Sequence, residues 1–329
     1  MIYDCFTFFN ELDLLEIRLN ILNACVDKFV LVEMGKTHTG KDKPLVFEQN
    51  KERFSAFKDK IIHIIVDDYP ELEKSESDGY GNKWLLENYQ RDAIMRGLKN
   101  CKDDDIILIS DLDEIPSPAA IENYAAQKAD GIRVLEQKMM YYFINNICKT
   151  ASVWFNGTRL GRYKDLLNPQ QDLPERKFYQ FSKKGLPTYF RFCQGTNIPD
   201  AGWHFSYCGG IDAIIKKRQS IVEQQFNTAK NMEPDYIKKM IAAGKDILDR
   251  KEYRYEALPL DNSFPQYIID NQEKYSHLIF KITPFYLLKK ILRKFEMKLL
   301  KIFLSAVRTI TPVKKWRKNL RNYYKNIQA

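Results

Sequence analysis

Three short, almost unbroken apolar runs, each closing on acidic side chains, constrain this chain more than any other feature of it. Lys28–Glu33 reads KFVLVE, Ile61–Val66 reads IIHIIV before Asp67 and Asp68, and Ile106–Ser110 reads IILIS before Asp111-Leu112-Asp113-Glu114. Strands that are apolar on both faces need cover on both faces, which is the pattern of a parallel sheet held between helices. Ile2–Phe6 reads as a further strand. Helical spacing fills the gaps. Leu12, Leu15, Leu19 and Leu22 recur at three- and four-residue steps after Asn10, and further helices are expected over Lys83–Leu98 and Ala119–Lys128. The expected fold is α/β with a central, mostly parallel sheet. Ligands of such sheets bind beyond the carboxyl ends of the strands, and Glu33, Asp67, Asp68, Asp111 and Asp113 fall at those ends.

With 329 residues the chain can bury one large core or one core with an appendage. Its net charge of +9 is unevenly spread. Residues 281–329 hold 14 Lys or Arg and a single acid, Glu296, which makes that tail +13 and leaves the remainder at −4. The expected division is a catalytic domain over 1–275 and a basic amphipathic helical tail over 276–329. Asp212–Phe226 and Pro234–Asp249 read as helices between them. The six cysteines form no CxxC pair and none stands at zinc-ligand spacing, as expected of thiols in a reducing compartment. Ile2–Phe6 follows the first residue without a basic or apolar leader, and no window reaches about 18 apolar residues. These features lead to the expectation of a cytoplasmic protein.

The run IILIS-DLDE is the sharpest chemical signal. Two short carboxylates at i and i+2, delivered by a buried strand, can fix Mg²⁺ or Mn²⁺ through oxygen while leaving room for phosphate oxygens. A solvated turn is the plain alternative. Phosphohydrolases of the haloacid dehalogenase type also place such a pair after a strand, with the first aspartate (here Asp111) as nucleophile. Their pattern continues with a small residue and Thr or Val, whereas Glu114-Ile115-Pro116 follows here. There is no GxxxxGK[ST], and no GxGxxG after the first strand.

Five blocks in fixed order carry a resemblance: YDCFTFFNELDLLEIRLNIL at 3–22, FVLVEMGKTHTGKDKPL at 29–45, QRDAI at 90–94, ILISDLDEIP at 107–116 and GWHFSYCGG at 202–210. Together they resemble glycosyltransferase family 17. The resemblance implies a GT-A-like nucleotide-sugar fold, a divalent metal and inverting transfer from a UDP-sugar, with N-acetylglucosamine as the expected sugar. Asp111 and Asp113 are then the metal and diphosphate candidates, and His204 is a third metal ligand or a donor to the leaving phosphate. Glu33, Asp67 and Asp68 are candidates for uracil or ribose, and Trp203 for a sugar face. Arg159 and Arg162 offer planar guanidinium groups to phosphate. Arg91, four residues after Glu87, either pairs with it along the helix or faces the donor phosphates. Asp200, Asp212 and Glu223 surround the GWH block and are candidate bases for the acceptor hydroxyl.

The acceptor expected is a glycan or a lipid-linked saccharide. In the tail, Thr283-Pro284 reads as a helix start, and Leu288, Leu292, Phe295, Leu299 and Ile302 recur at helical spacing among lysines and arginines. Thr311-Pro312 repeats the start signal, with Trp316, Leu320, Tyr324 and Ile327 following. Such stripes suit an anionic membrane surface; a basic helix packed on the body is the plain alternative. A non-catalytic membrane-binding protein with a vestigial fold is a further reading. No base-reading module accompanies the charge, so nucleic acid is not an expected partner.

Overall fold

The computed structural model describes residues 1–70, 81–168, 186–221, 224–248 and 250–288, with scattered positions of the tail as far as residue 303. The chain begins with β1 (Ile2–Phe8), α1 (Leu12–Leu22), β2 (Lys28–Met34), a short α2 (Val46–Asn50) and β3 (Ile61–Val66). Then come α3 (Gly81–Asp92), β4 (Ile106–Asp111), β5 (Glu114–Pro116) and α4 (Pro118–Ala126). β1 lies parallel to both β2 and β4, and β2 is parallel to β3. Alternation along β1 explains the two-sided burial. Phe6 and Phe8 enter one core with Leu15 of α1 and Ile121 of α4, while Tyr3 and Cys5 enter the opposite core with Leu86 of α3. The expected parallel, two-sided sheet is present.

Short strands dominate the next stretch: β6 (Arg133–Leu135), β7 (Gln137–Tyr141), β8 (Asn146–Cys148), β9 (Val153–Trp154) and β10 (Arg159–Arg162). They are followed by α5 (Tyr163–Leu167), α6 (Leu186–Phe192), β11 (Thr196–Ile198), β12 (Gly202–Ser206), α7 (Gly210–Ser220), α8 (Pro234–Ala242), β13 (Tyr255–Ala257) and α9 (Gln266–Asp270). The first sheet grows to seven strands in the order β11-β6-β10-β4-β1-β2-β3, with β10 antiparallel to β4. A second, six-stranded sheet takes the path β13-β8-β7-β12-β5, with β9 beside β7. β4 therefore ends in one sheet and β5 begins in the other. Leu112 and Asp113 cross between them.

Several expected helices stop short of their sequence pattern. The expected Lys83–Leu98 helix stops at Asp92 and tightens into a 3₁₀ turn over Ala93–Gly97. A side chain at Gly97 would run into Val30 of β2, so this turn approaches the sheet closely. α7 ends at Ser220 and α8 at Ala242, short of Phe226 and Asp249. The tail helix starts as expected, with Thr283 Oγ1 accepting the Tyr286 amide at 3.1 Å. The expectations for Thr311, Pro312, Trp316, Leu320, Tyr324 and Ile327 lie outside the described residues.

Candidate active site

The acidic turn between β4 and β5 forms part of the wall of a cavity of about 340 Å³ at the carboxyl ends of the parallel strands. Arg18 of α1, fully buried, fixes the shape of that turn. Its Nη1 donates to the carbonyls of Asp111, Leu112 and Glu114 at 2.9, 3.0 and 3.0 Å. Its Nε and Nη2 close on both oxygens of Asp4 at 2.8 and 2.6 Å. A turn whose carbonyls are gathered this way presents its side chains outward to the cavity.

Each carboxylate of the turn faces its own cation. Asp111 Oδ1 accepts from Arg91 Nη2 at 3.0 Å, and its Oδ2 lies 3.9 Å from Arg191. Burial works to raise its carboxyl, but Arg91 and Arg191 outweigh that and hold it below the usual carboxylate range. Asp113 Oδ2 accepts from Lys217 of α7 at 2.7 Å, and Oδ1 lies 3.6 Å from His204 Nε2. Burial again opposes ionisation, and Lys217 followed by His204 overcomes it. Lys217, also 3.4 Å from Glu11, is held above the ordinary lysine range by Asp113 and Glu11 against the effect of burial. Glu114 accepts four hydrogen bonds from three donors: Arg191 Nη2 at 2.6 and 2.7 Å, Trp154 Nε1 at 2.6 Å, and the Asp111 amide at 3.2 Å. That donor set suits a carboxylate.

Around this turn the cavity wall is ordered from α3. Gln90 Nε2 donates to the carbonyls of Phe8 and Val32 at the ends of β1 and β2, which leaves its Oε1 to accept from His38 Nε2 at 2.9 Å. The other imidazole nitrogen faces Glu87 at 3.6 Å, and Glu87 in turn takes Arg91 at 3.0 Å. Arg91 therefore forms the expected pair along the helix and also reaches Asp111 of the acidic turn.

Of the residues singled out in the sequence, Asp111, Asp113, Arg91 and His204 meet at the cavity. The others, Glu223 apart, lie elsewhere among the described residues. Glu33, fully buried, accepts from the amides of Phe47 and Glu48 and so caps α2. Asp68 pairs with Arg96 on the surface, and Asp67 beside it is exposed. Arg159 is buried against the carbonyls of Cys193 and Gly157, and burial lowers it to about 9. Arg162 reaches Ala129, Asp130 and Asp104 at the opposite end of β10. Trp203 donates to the Ser263 carbonyl on the face of β12 away from His204. Asp200 occupies a turn with φ of 51°, and Asp212 is exposed on α7. Neither is part of the cavity wall. Glu223 lies outside the described residues. The sequence reading missed Arg191, Lys217, Glu11, His38, Gln90 and Trp154. Of these, Glu11, His38 and Gln90 stood in blocks of the family resemblance that could have flagged them; Arg191, Lys217 and Trp154 did not.

Asp111 and Asp113 fit a Mg²⁺ or Mn²⁺ ion of the kind that keeps waters and phosphate oxygens as its remaining ligands. Two carboxylates lining a cavity are the chemistry such an ion needs, and the Asp111 side chain is the open one of the two, 40% accessible against 8% for Asp113. His204 stands beside Asp113 rather than converging with both aspartates. Among the described residues no group of three His, Cys, Asp or Glu is drawn together to hold a metal.

Fold and site define an α/β protein with an acidic turn at the head of a parallel sheet, answered by three buried or half-buried cations. Comparison with known proteins adds a likeness: residues 1–154 match the sequence model of glycosyltransferase family 17, in agreement with the resemblance read from the sequence. The chain is 24% identical over 301 aligned positions to β-1,4-mannosyl-glycoprotein 4-β-N-acetylglucosaminyltransferase of Rattus norvegicus, covering 82% of this chain and 53% of the relative. The enzyme of that name from Homo sapiens matches with the same figures. The chain thus spans about half the length of the curated relatives it matches. Among solved structures, a putative glucose-1-phosphate thymidylyltransferase from Bacillus anthracis aligns at 10% identity and TM-score 0.35, covering 62% of this chain and 88% of that one. HddC from Yersinia pseudotuberculosis aligns at 8% identity and TM-score 0.34, covering 68% and 98%. At such scores the fold rests on the sheet topology described above.

Proposed function

We propose that this chain is an inverting glycosyltransferase of GT-A-like architecture, moving N-acetylglucosamine from UDP-N-acetylglucosamine to a glycan or lipid-linked saccharide. The family match and the named relatives support the transferase class. The observation that carries the donor assignment is the pairing of Asp111 and Asp113 with Arg91, Arg191 and Lys217 at the ends of the parallel strands. Carboxylates there suit a cation, and the surrounding cations suit a diphosphate.

A divalent ion held by Asp111 and Asp113 would neutralise the charge that builds on the leaving diphosphate. Arg91 and Arg191 add planar, fixed positive charge on the same side, where it needs no reorganisation as the bond to the sugar breaks. Glu114 holds Arg191 and Trp154 in place, and Trp154 packs over His204 with ring centroids 4.8 Å apart. Inversion requires a group that takes the acceptor proton from the face opposite the diphosphate. Glu11, Glu87, His38 and His204 are the cavity groups with that chemistry. The six free thiols suit a reducing cytoplasm.

Calorimetric titration of UDP and UDP-N-acetylglucosamine, with and without Mn²⁺, tests the donor assignment. The expected result is Mn²⁺-dependent binding that disappears in Asp113→Asn. Absence of nucleotide binding under every condition would overturn it. Phosphate release from simple esters, with no sugar acceptor present, would instead favour a phosphohydrolase working through Asp111.

A further inference from the structure

The tail presents a surface for which the transferase reading has no use. Its root is tied to the body. Tyr286 packs against Phe280 with centroids 5.1 Å apart, its hydroxyl accepts the Ala257 amide at 3.0 Å, and Lys290 pairs with Glu256 of β13. Past that root the large apolar side chains turn to solvent. Leu288, Leu292, Phe295, Leu299 and Ile302 are each 51–60% exposed, although their spacing of four and three residues places them on one helical stripe. The alternative in which this stripe packs on the body is therefore not what these side chains do.

We propose that this stripe is a docking face for a bilayer rich in anionic lipid, with the helix lying in the plane of the headgroups. Two observations carry the choice of occupant. The stripe is flanked by basic residues, and residues 281–329 carry 14 Lys or Arg against one acid, so the polar flank complements lipid phosphates while the apolar stripe enters the acyl boundary. A second copy of the tail would bring the same +13 against itself, which opposes pairing between copies. Nucleic acid would answer the charge but would leave the leucines, isoleucine and phenylalanine without an apolar partner. The geometry is that of a helix on a membrane rather than across it. Among the described residues no helix is long and apolar enough to cross a bilayer. This inference stands apart from the transferase reading, because it concerns residues remote from the cavity.

Sedimentation of the full chain with vesicles tests it, using phosphatidylcholine alone and phosphatidylcholine mixed with phosphatidylglycerol. The chain is expected to co-sediment with the mixed vesicles, and to be released by salt. Phe295→Ser with Leu299→Ser removes apolar area at constant charge. Lys294→Gln, Lys298→Gln and Lys301→Gln together remove charge at constant area. Each set is expected to weaken partitioning about tenfold or more, since a basic residue near an anionic surface contributes on the order of 1 kcal/mol. Thermal unfolding of both variants, expected to match the parent, checks that the body is folded. Undiminished sedimentation of either variant overturns the proposal. So does a lipid-free dimer that Phe295→Ser with Leu299→Ser dissolves, or a preference for an oligonucleotide over the mixed vesicles.

Discussion

Arg18 and Asp4 form a fully buried, two-pronged ion pair, and the guanidinium nitrogen left over by that pair gathers three carbonyls of the acidic turn. The pair joins α1 and β1 to the turn that follows β4. It sets the direction in which Asp111 and Asp113 point without touching any ligand itself.

Replacing Arg18 therefore has two separable effects. Arg18→Met leaves Asp4 buried and unpaired and is expected to cost about 4 kcal/mol of stability, read by denaturant unfolding. Arg18→Lys keeps the charge but not the fork. It is expected to fold, to unfold earlier than the parent, and to bind UDP more weakly. Parent-like UDP affinity in a folded Arg18→Lys protein would show that the turn holds its shape unaided.

The Asp113–Lys217 pair predicts a pH signature. Asp113 is held below its ordinary value, so its contribution to stability is present above about pH 4 and is lost as the pH falls through the lower native value. Lys217 is held above its ordinary value, so its contribution is complete below about pH 10 and is lost as the pH rises further. Lys217→Met is expected to be less stable by about 3 kcal/mol at neutral pH. The gap from the parent should narrow as acid neutralises Asp113. The same variant should bind Mn²⁺ more tightly in a direct titration, because the ammonium no longer competes for Asp113. Weaker Mn²⁺ binding would argue against a shared position.

Trp154→Phe keeps an aromatic ring over His204 and removes one donor to Glu114. A loss of about 1 kcal/mol is expected, the usual worth of one hydrogen bond to a buried group. Glu114→Gln, which breaks the Arg191 pair as well, should cost more and also weaken UDP binding. Equal effects of the two changes would mean that Trp154 acts through the ring rather than the indole N–H.

Glu33→Gln separates capping from ligand binding. Its carboxylate accepts the first amides of α2, with His63 at 3.3 Å and Lys43 at 3.6 Å. The change is expected to lower stability by about 1 kcal/mol, measured by thermal unfolding, and to leave UDP affinity unchanged. A specific loss of UDP binding would return Glu33 to the nucleotide site.

Three of the four parallel strands were legible because each is nearly apolar along both faces, and the acidic turn was legible because it follows one of them. The second sheet was hidden: β5, β8 and β13 are three residues each, too short for any period to register. Parity explains part of what failed at the site. Trp203 and His204 are neighbours on β12, and neighbours on a strand point to opposite faces, so a cavity that takes His204 leaves Trp203 outside. Arg191 and Lys217 come from helices far along the chain, at positions where a lone cation carries no periodic signature. Only three-dimensional proximity to Glu114 and Asp113 gives them a role.

The crossing between the two sheets has a mechanical consequence. Asp111 closes a strand of the first sheet and Glu114 opens a strand of the second, with two residues between them. The carboxylates proposed to bind the donor thus sit on the joint of the molecule. A ligand that shifts the second sheet against the first must move that joint, and one that stiffens the joint must resist the shift. Occupancy on the two sides is then linked, and linkage acts equally in both directions: whatever the acceptor side does to donor affinity, the donor does in the same measure to acceptor affinity.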